Sequence, residues 1–102
     1  MMSKDVEKYQ FIEKLKRLKF IEEIWLFGSR ARGDNAERAD IDLAIVAPSA
    51  TEQEWSKIME IIDTADTLLK IDCIRFDTLK DERFREQILL DHQVIFKKEA
   101  SV

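Results

Sequence analysis

The feature that most constrains this chain is a pair of short apolar runs joined by a tight corner and followed by two acids. Ile24-Trp25-Leu26-Phe27 stops at Gly28-Ser29, residues 30–39 follow, and Asp40-Ile41-Asp42 then opens a second apolar run ending at Val46. Both glycines of the chain, Gly28 and Gly33, lie in this stretch. A run rich in β-branched and aromatic residues that ends at a glycine reads as a strand entering a turn. On a strand, residues two apart share a face. Asp40 and Asp42 therefore project side by side, with Ile41 and Leu43 on the opposite side. Two neighbouring carboxylates repel by roughly 1 kcal/mol in water and by several times more at lower effective dielectric. A divalent cation removes that conflict, and Mg²⁺ takes hard oxygen ligands such as carboxylates and substrate phosphates.

The corner suits an anion. Gly28 permits close backbone approach, Ser29 opens a helical turn whose first N–H groups are free, and Gly33 is its stop signal. Arg30, Arg32 and Arg38 bring positive charge nearby. A nucleoside triphosphate fits this layout, with its phosphates at the corner and metal between them and the acids. A third acid would complete a two-metal site for an in-line displacement. Asp72, between Ile71 and Cys73-Ile74, is the candidate, because an acid inside an apolar run is expensive to bury unless paired or metal-bound. Singly, each feature has an ordinary explanation: two solvated acids on an edge strand, a turn, a charged face. Their order and number favour the site.

The remaining chain reads as alternating helices and strands. Phe11, Ile12, Leu15 and Leu18 form the apolar stripe of a helix over 4–19. Strands are expected at 21–27, 40–46, 71–76 and 93–96. A helix capped by Ser49 or Thr51 runs to about Leu69, burying Trp55, Ile58, Ile62, Ala65 and Leu69. A last helix spans 80–90 with Phe84 and Ile88 inward, and Asp77 reads as a turn or helix-cap residue. Trp25 and Trp55 are expected in the core and His92 on the surface; Tyr9 has no assigned role. Cys73 reads as buried packing, since no His or charged cluster activates it. Such alternation places helices against a mixed or parallel sheet.

Length and composition set the outer limits. The 102 residues are 45% hydrophobic, enough for one core, so a single domain is expected over 1–97 with a frayed tail at 98–102. Charged residues make up 37% of the chain, and the net charge of −4 gives no general case for nucleic-acid binding. No apolar run reaches the ~20 residues that cross a bilayer. The charged start lacks a signal core, and a lone cysteine forms no internal disulfide, so no membrane association and a cytoplasmic location are expected.

These residues resemble the nucleotidyltransferase superfamily that includes DNA polymerase β and kanamycin nucleotidyltransferase. The shared motif is Gly-Ser, ten residues, then Asp-x-Asp, here Gly28-Ser29 and Asp40-Ile41-Asp42. The stretches L-F-G-S-R-A-R-G at 26–33 and D-I-D-L-A-I at 40–45 are most similar to the minimal, MNT-type members, as is the segment from Ile71-Asp72 into the R-E-Q-I-L helix. Ala39 departs from the serine that often precedes the first acid, which costs a hydroxyl but no metal ligand. The resemblance implies an α/β (α+β) nucleotidyltransferase fold, with a mixed sheet of three to four strands and helices packed against it. It implies Mg²⁺ held by Asp40, Asp42 and Asp72, which are also the catalytic acids, and ATP bound at Gly28 and Ser29 with Arg30 and Arg32. It also implies an antitoxin that pairs with a HEPN-domain toxin as a hetero-oligomer and moves AMP from ATP onto a toxin tyrosine (AMPylation). Length agrees: 102 residues leave little room for a pocket for a second substrate. An antitoxin that works by binding alone is the alternative. A receiver-like phospho-acceptor domain is a third reading, but it would have no use for the Gly-Ser corner.

Overall fold

The computed structural model describes residues 4–99; residues 1–3 and 100–102 lie outside that range. The described residues form one sheet, with strands β1 (Glu23–Phe27), β2 (Ile41–Val46), β3 (Ile71–Arg75) and β4 (Gln93–Lys97). Their order is β3-β2-β1-β4. β1 runs antiparallel to both β2 and β4, and β2 runs parallel to β3. The sheet is therefore mixed and the fold is α+β, as expected. The parallel step needs a crossover, and helix α4 (Glu52–Asp63) supplies it.

Strand alternation divides the apolar residues between two cores. On one face Ile24, Leu26, Ile41, Leu43 and Ile45 pack with Phe11, Ile12 and Leu15 of helix α2 (Gln10–Lys16) and Ile58 and Ile62 of α4. On the other face Trp25, Phe27 and Ala44 meet Phe76 and Ile88, the latter from helix α5 (Glu82–Asp91). Trp25 is buried as expected, while Trp55 is half-buried under the Arg75 guanidinium, 5.5 Å from its ring centre.

Two expected helices are shorter than their periodicity suggests, for one shared reason. The helix read over 4–19 breaks at Lys8-Tyr9 into α1 (Lys4–Glu7) and α2. The helix read as far as Leu69 stops at Asp63. Between them Asp66 accepts the Gln10 N–H at 2.9 Å and the Phe11 N–H at 3.0 Å, capping α2 from 55 residues away. Those bonds hold the Asp66 carboxyl below its ordinary pKa. A capping carboxylate needs a non-helical approach, so Ala65 and Leu69 reach the core from a loop instead. By contrast, the start of α4 is local. Thr51 accepts the Glu54 N–H at 3.1 Å while the Glu54 side chain takes the Thr51 N–H at 2.9 Å, a capping box.

Asp77 is neither a turn residue alone nor a helix cap. Its carboxylate accepts the Ala47 N–H at 2.7 Å, beside Arg75 at 3.9 Å. Asp81 caps α5, accepting the Phe84 N–H at 3.1 Å. His92 is half-buried, its ring 4.4 Å from that of Trp25, so it belongs to the second core more than to the surface. Lys98 falls in the expected frayed tail but is tied at 2.8 Å by both its N–H, to Glu22 O, and its Nζ, to Lys19 O. No helix among the described residues is long and apolar enough to cross a membrane.

Candidate active site

The site is assembled where β1 ends beside the starts of β2 and β3. After Phe27 the chain turns at Gly28, whose φ of 75° and ψ of −155° lie where side-chain-bearing residues are rarely found. Helix α3 (Ser29–Arg32) follows and closes at Gly33 in the left-handed region, φ 82°. The Ala31 and Arg32 N–H groups donate to Gly28 O, which leaves those of Ser29 and Arg30 outside the helix's own bonding. Ser29 is half-buried at the head of this turn. Gln93 of β4 donates its Nε2 to Ala31 O and anchors the turn to the sheet edge.

Antiparallel register pairs Phe27 with Asp42, and parallel register pairs Asp42 with Asp72. Asp40, two residues before Asp42, adds a third carboxylate on the same side. The Asp42 carboxylate also lies against Gly28, in the space that a Cβ there would need. This crowding has an electrostatic consequence. Burial, then the charges of Asp72 and Asp40, push Asp42 from an ordinary 3.8 up to about 6, while Arg32 pulls weakly the other way. A carboxylate so placed is relieved by a cation, and hard oxygen donors on adjoining strands are what Mg²⁺ binds. The described residues contain no trio of acids, histidines or cysteines already closed to metal-binding geometry.

The arginines divide by role. Arg32 is exposed, with Asp34 at 3.1 Å and Asp91 at 3.6 Å, and it is near enough to Asp42 to lower that group's pKa. Its own pKa is raised, mainly by the bond to Asp34. Arg30 is engaged with backbone: Nε and Nη2 donate to Ala39 O, Nε to Asp40 O and Nη2 to Glu37 O, at 2.7–3.3 Å. It pins the loop that delivers Asp40. Arg38 is exposed on that loop. Asp72 lies on the outermost strand rather than in a buried run, with its side chain 44% exposed and Lys70 Nζ 3.6 Å away. Lys70 is a site residue that the sequence reading passed over. Its position two before Asp72, just ahead of β3, was the available signal. Cys73 points the other way, into packing, and burial pushes its thiol up to about 12.

Comparison with known proteins bears on the family and the fold. A family model for polymerase beta nucleotidyltransferases matches residues 9–101. The Probable protein adenylyltransferase MntA of Haemophilus influenzae is 30% identical over 80 residues, covering 78% of this chain and 69% of that protein. Among solved structures, a toxin–antitoxin complex with AMP-PNP superposes with a TM-score of 0.61 at 21% identity, over 88% of this chain and 73% of that one. A candidate nucleotidyltransferase of Sulfolobus solfataricus gives 0.58 at 23% identity, over 95% and 81%.

Proposed function

The chain belongs to the polymerase beta nucleotidyltransferase family, and we propose that it moves AMP from ATP onto a tyrosine hydroxyl of a partner HEPN toxin, acting as that toxin's antitoxin. One observation carries the reading: Asp42 is wedged against Gly28 at the phosphate corner and paired directly with Asp72 on the next strand. The corner and the acids thus share one small volume, as transfer of a nucleotidyl group requires.

Gly28 and the free N–H groups after it would receive the phosphates, with the Ser29 hydroxyl as a further donor. Arg32 would add positive charge, and Arg30 would act by fixing the Asp40 loop. Asp40, Asp42 and Asp72 would hold Mg²⁺, which when bound offsets the charge on the attacking and leaving oxygens. The acceptor oxygen bonds to the α-phosphorus as the bond to pyrophosphate breaks. Asp72, on the edge strand β3 with its side chain half-exposed, takes the hydroxyl proton. The acceptor comes from a partner surface, in keeping with a relative called a protein adenylyltransferase and a structural match from a toxin–antitoxin complex.

The test is incubation of the partner with this protein, ATP and Mg²⁺, followed by mass spectrometry. One added AMP on a tyrosine is expected, and none with Asp42→Asn. A toxin neutralised equally well by an Asp40/Asp42 double variant would favour binding alone.

A further inference from the structure

Helix α3 is a single turn of four residues, and a turn that short gains few bonds for the residues it fixes. Two carbonyls take four of its N–H groups: Gly28 O accepts from Ala31 and Arg32, and Ser29 O accepts from Gly33 and Asp34. Its next buried carbonyl, Ala31 O, is satisfied from outside, by Gln93 Nε2 on the first residue of β4. β4 begins beside the end of β1, where Gln93 pairs with Leu26. Paired residues of an antiparallel ladder share a face, so Gln93 stands with Leu26 on the side of the first core, where Ala31 also packs. Asp42, paired with Phe27, stands on the other face. Gln93 therefore reaches the turn from behind and touches none of the three acids.

The joint that carries Gln93 is itself held. His92 donates its N–H to Ile88 O at 2.8 Å and lays its ring 4.4 Å from that of Trp25. Asp91, the residue before, lies 3.6 Å from Arg32 Nη1 and accepts from Gln87 Nε2 at 2.9 Å. Residues 91–93 thus meet two consecutive residues of α3. The Asp91 contact is long and partly exposed, the kind of ion pair that adds little. The half-buried amide on Ala31 O is the stronger hold. At its other end the turn has no slack, because the Asp42 carboxylate fills the space over Gly28.

We propose that Gln93 is a positioning residue for nucleotide binding: through Ala31 O it holds the Gly28–Gly33 turn in the placement that sets Ser29 and Arg32 to the phosphates. The inference rests on the adenylyl-transfer reading for its ligand, a nucleoside triphosphate, and adds a residue that this reading does not use. Losing the bond lets the turn move away from the sheet edge while the acids keep their strands. A corner that grips phosphates alike before and during transfer acts on KM and not on kcat.

Gln93→Met keeps the length and removes the donor; Gln93→Asn keeps the amide but is one methylene too short to reach. Each should weaken binding of Mg²⁺ with a non-hydrolysable ATP analogue, and raise the KM for ATP, by about tenfold with kcat nearly unchanged. In the nucleotide-free protein each should speed amide exchange at Gly33 and Asp34 and leave Leu43 and Ile45 as in the wild type. Binding in either folded variant that equals the wild type overturns the positioning and spares the transfer reading, and Gln93→Asn carries the test if Gln93→Met does not fold. Faster exchange with unchanged binding would make the bond merely structural and overturns it too, as does a fall in kcat at constant KM. A wild type that binds no analogue sinks the transfer reading and this inference with it.

Discussion

The Asp42 carboxylate occupies the space that a Cβ at Gly28 would need. Residue 28 is thus a glycine for two reasons: its φ of 75°, and the acid lying over it. Gly28→Ala is expected to cost about 1–3 kcal/mol in stability and to abolish transfer, because either the corner or Asp42 must shift. Urea unfolding and a labelled-ATP assay measure the two effects. A variant as stable and active as the wild type would refute the packing described.

Asp42 should weaken the fold that it serves. Its pKa in the folded chain is about 6 against an ordinary 3.8, so between those values the folded chain holds a proton that the unfolded chain releases. Stability of the metal-free protein should therefore fall as pH rises from about 4 to about 6, and stay reduced above. Asp42→Asn should melt above the wild type at pH 7.5 in chelator while having no transferase activity, and the gain should fade near pH 4. A lower Tm for the variant at pH 7.5 would contradict this sign.

Protons and Mg²⁺ should compete for the same carboxylates. The rise in Tm produced by Mg²⁺ with a non-hydrolysable ATP analogue should be largest above pH 7 and should shrink as pH drops through about 6. A shift independent of pH between 5 and 8 would place the metal elsewhere.

The Asp66 cap should matter locally. Asp66→Ala should lower the Tm and speed amide exchange at Gln10 and Phe11 first, since those two N–H groups lose their acceptor. Exchange rising uniformly over the chain instead would show that the cap is not local to α2.

Arg75 ties β3 to the turn after β2. It donates to Ala47 O at 2.9 Å and Ala50 O at 2.8 Å. Arg75→Met leaves both carbonyls without that partner and should cost about 1–3 kcal/mol by chemical denaturation, with transfer retained. Loss of activity in a folded Arg75→Met protein would mean that this clamp reaches the acid row.

The local grammar of the chain was legible without coordinates. Glycine before serine set the corner, since only glycine tolerates that φ without a side-chain penalty. Period-two spacing put Asp40 and Asp42 on one face. Ser49 or Thr51 marked a helix start, and Asp72 was picked out as an acid in an apolar run. These rest on interactions within a few residues, where spacing is geometry. What tertiary structure decided was every pairing across the chain. Spacing said nothing of Asp42 beside Asp72, because register between strands 30 residues apart is set by ladder bonds and by the packing of α4. Nor did it reveal that Arg30 serves the Asp40 loop, or that Asp66 ends one helix in order to begin another, since a side chain's partner depends on what folding brings near it. Sequence alone placed the reactive groups on their faces; the sheet order placed Asp72 on an open edge, where a second molecule can reach it.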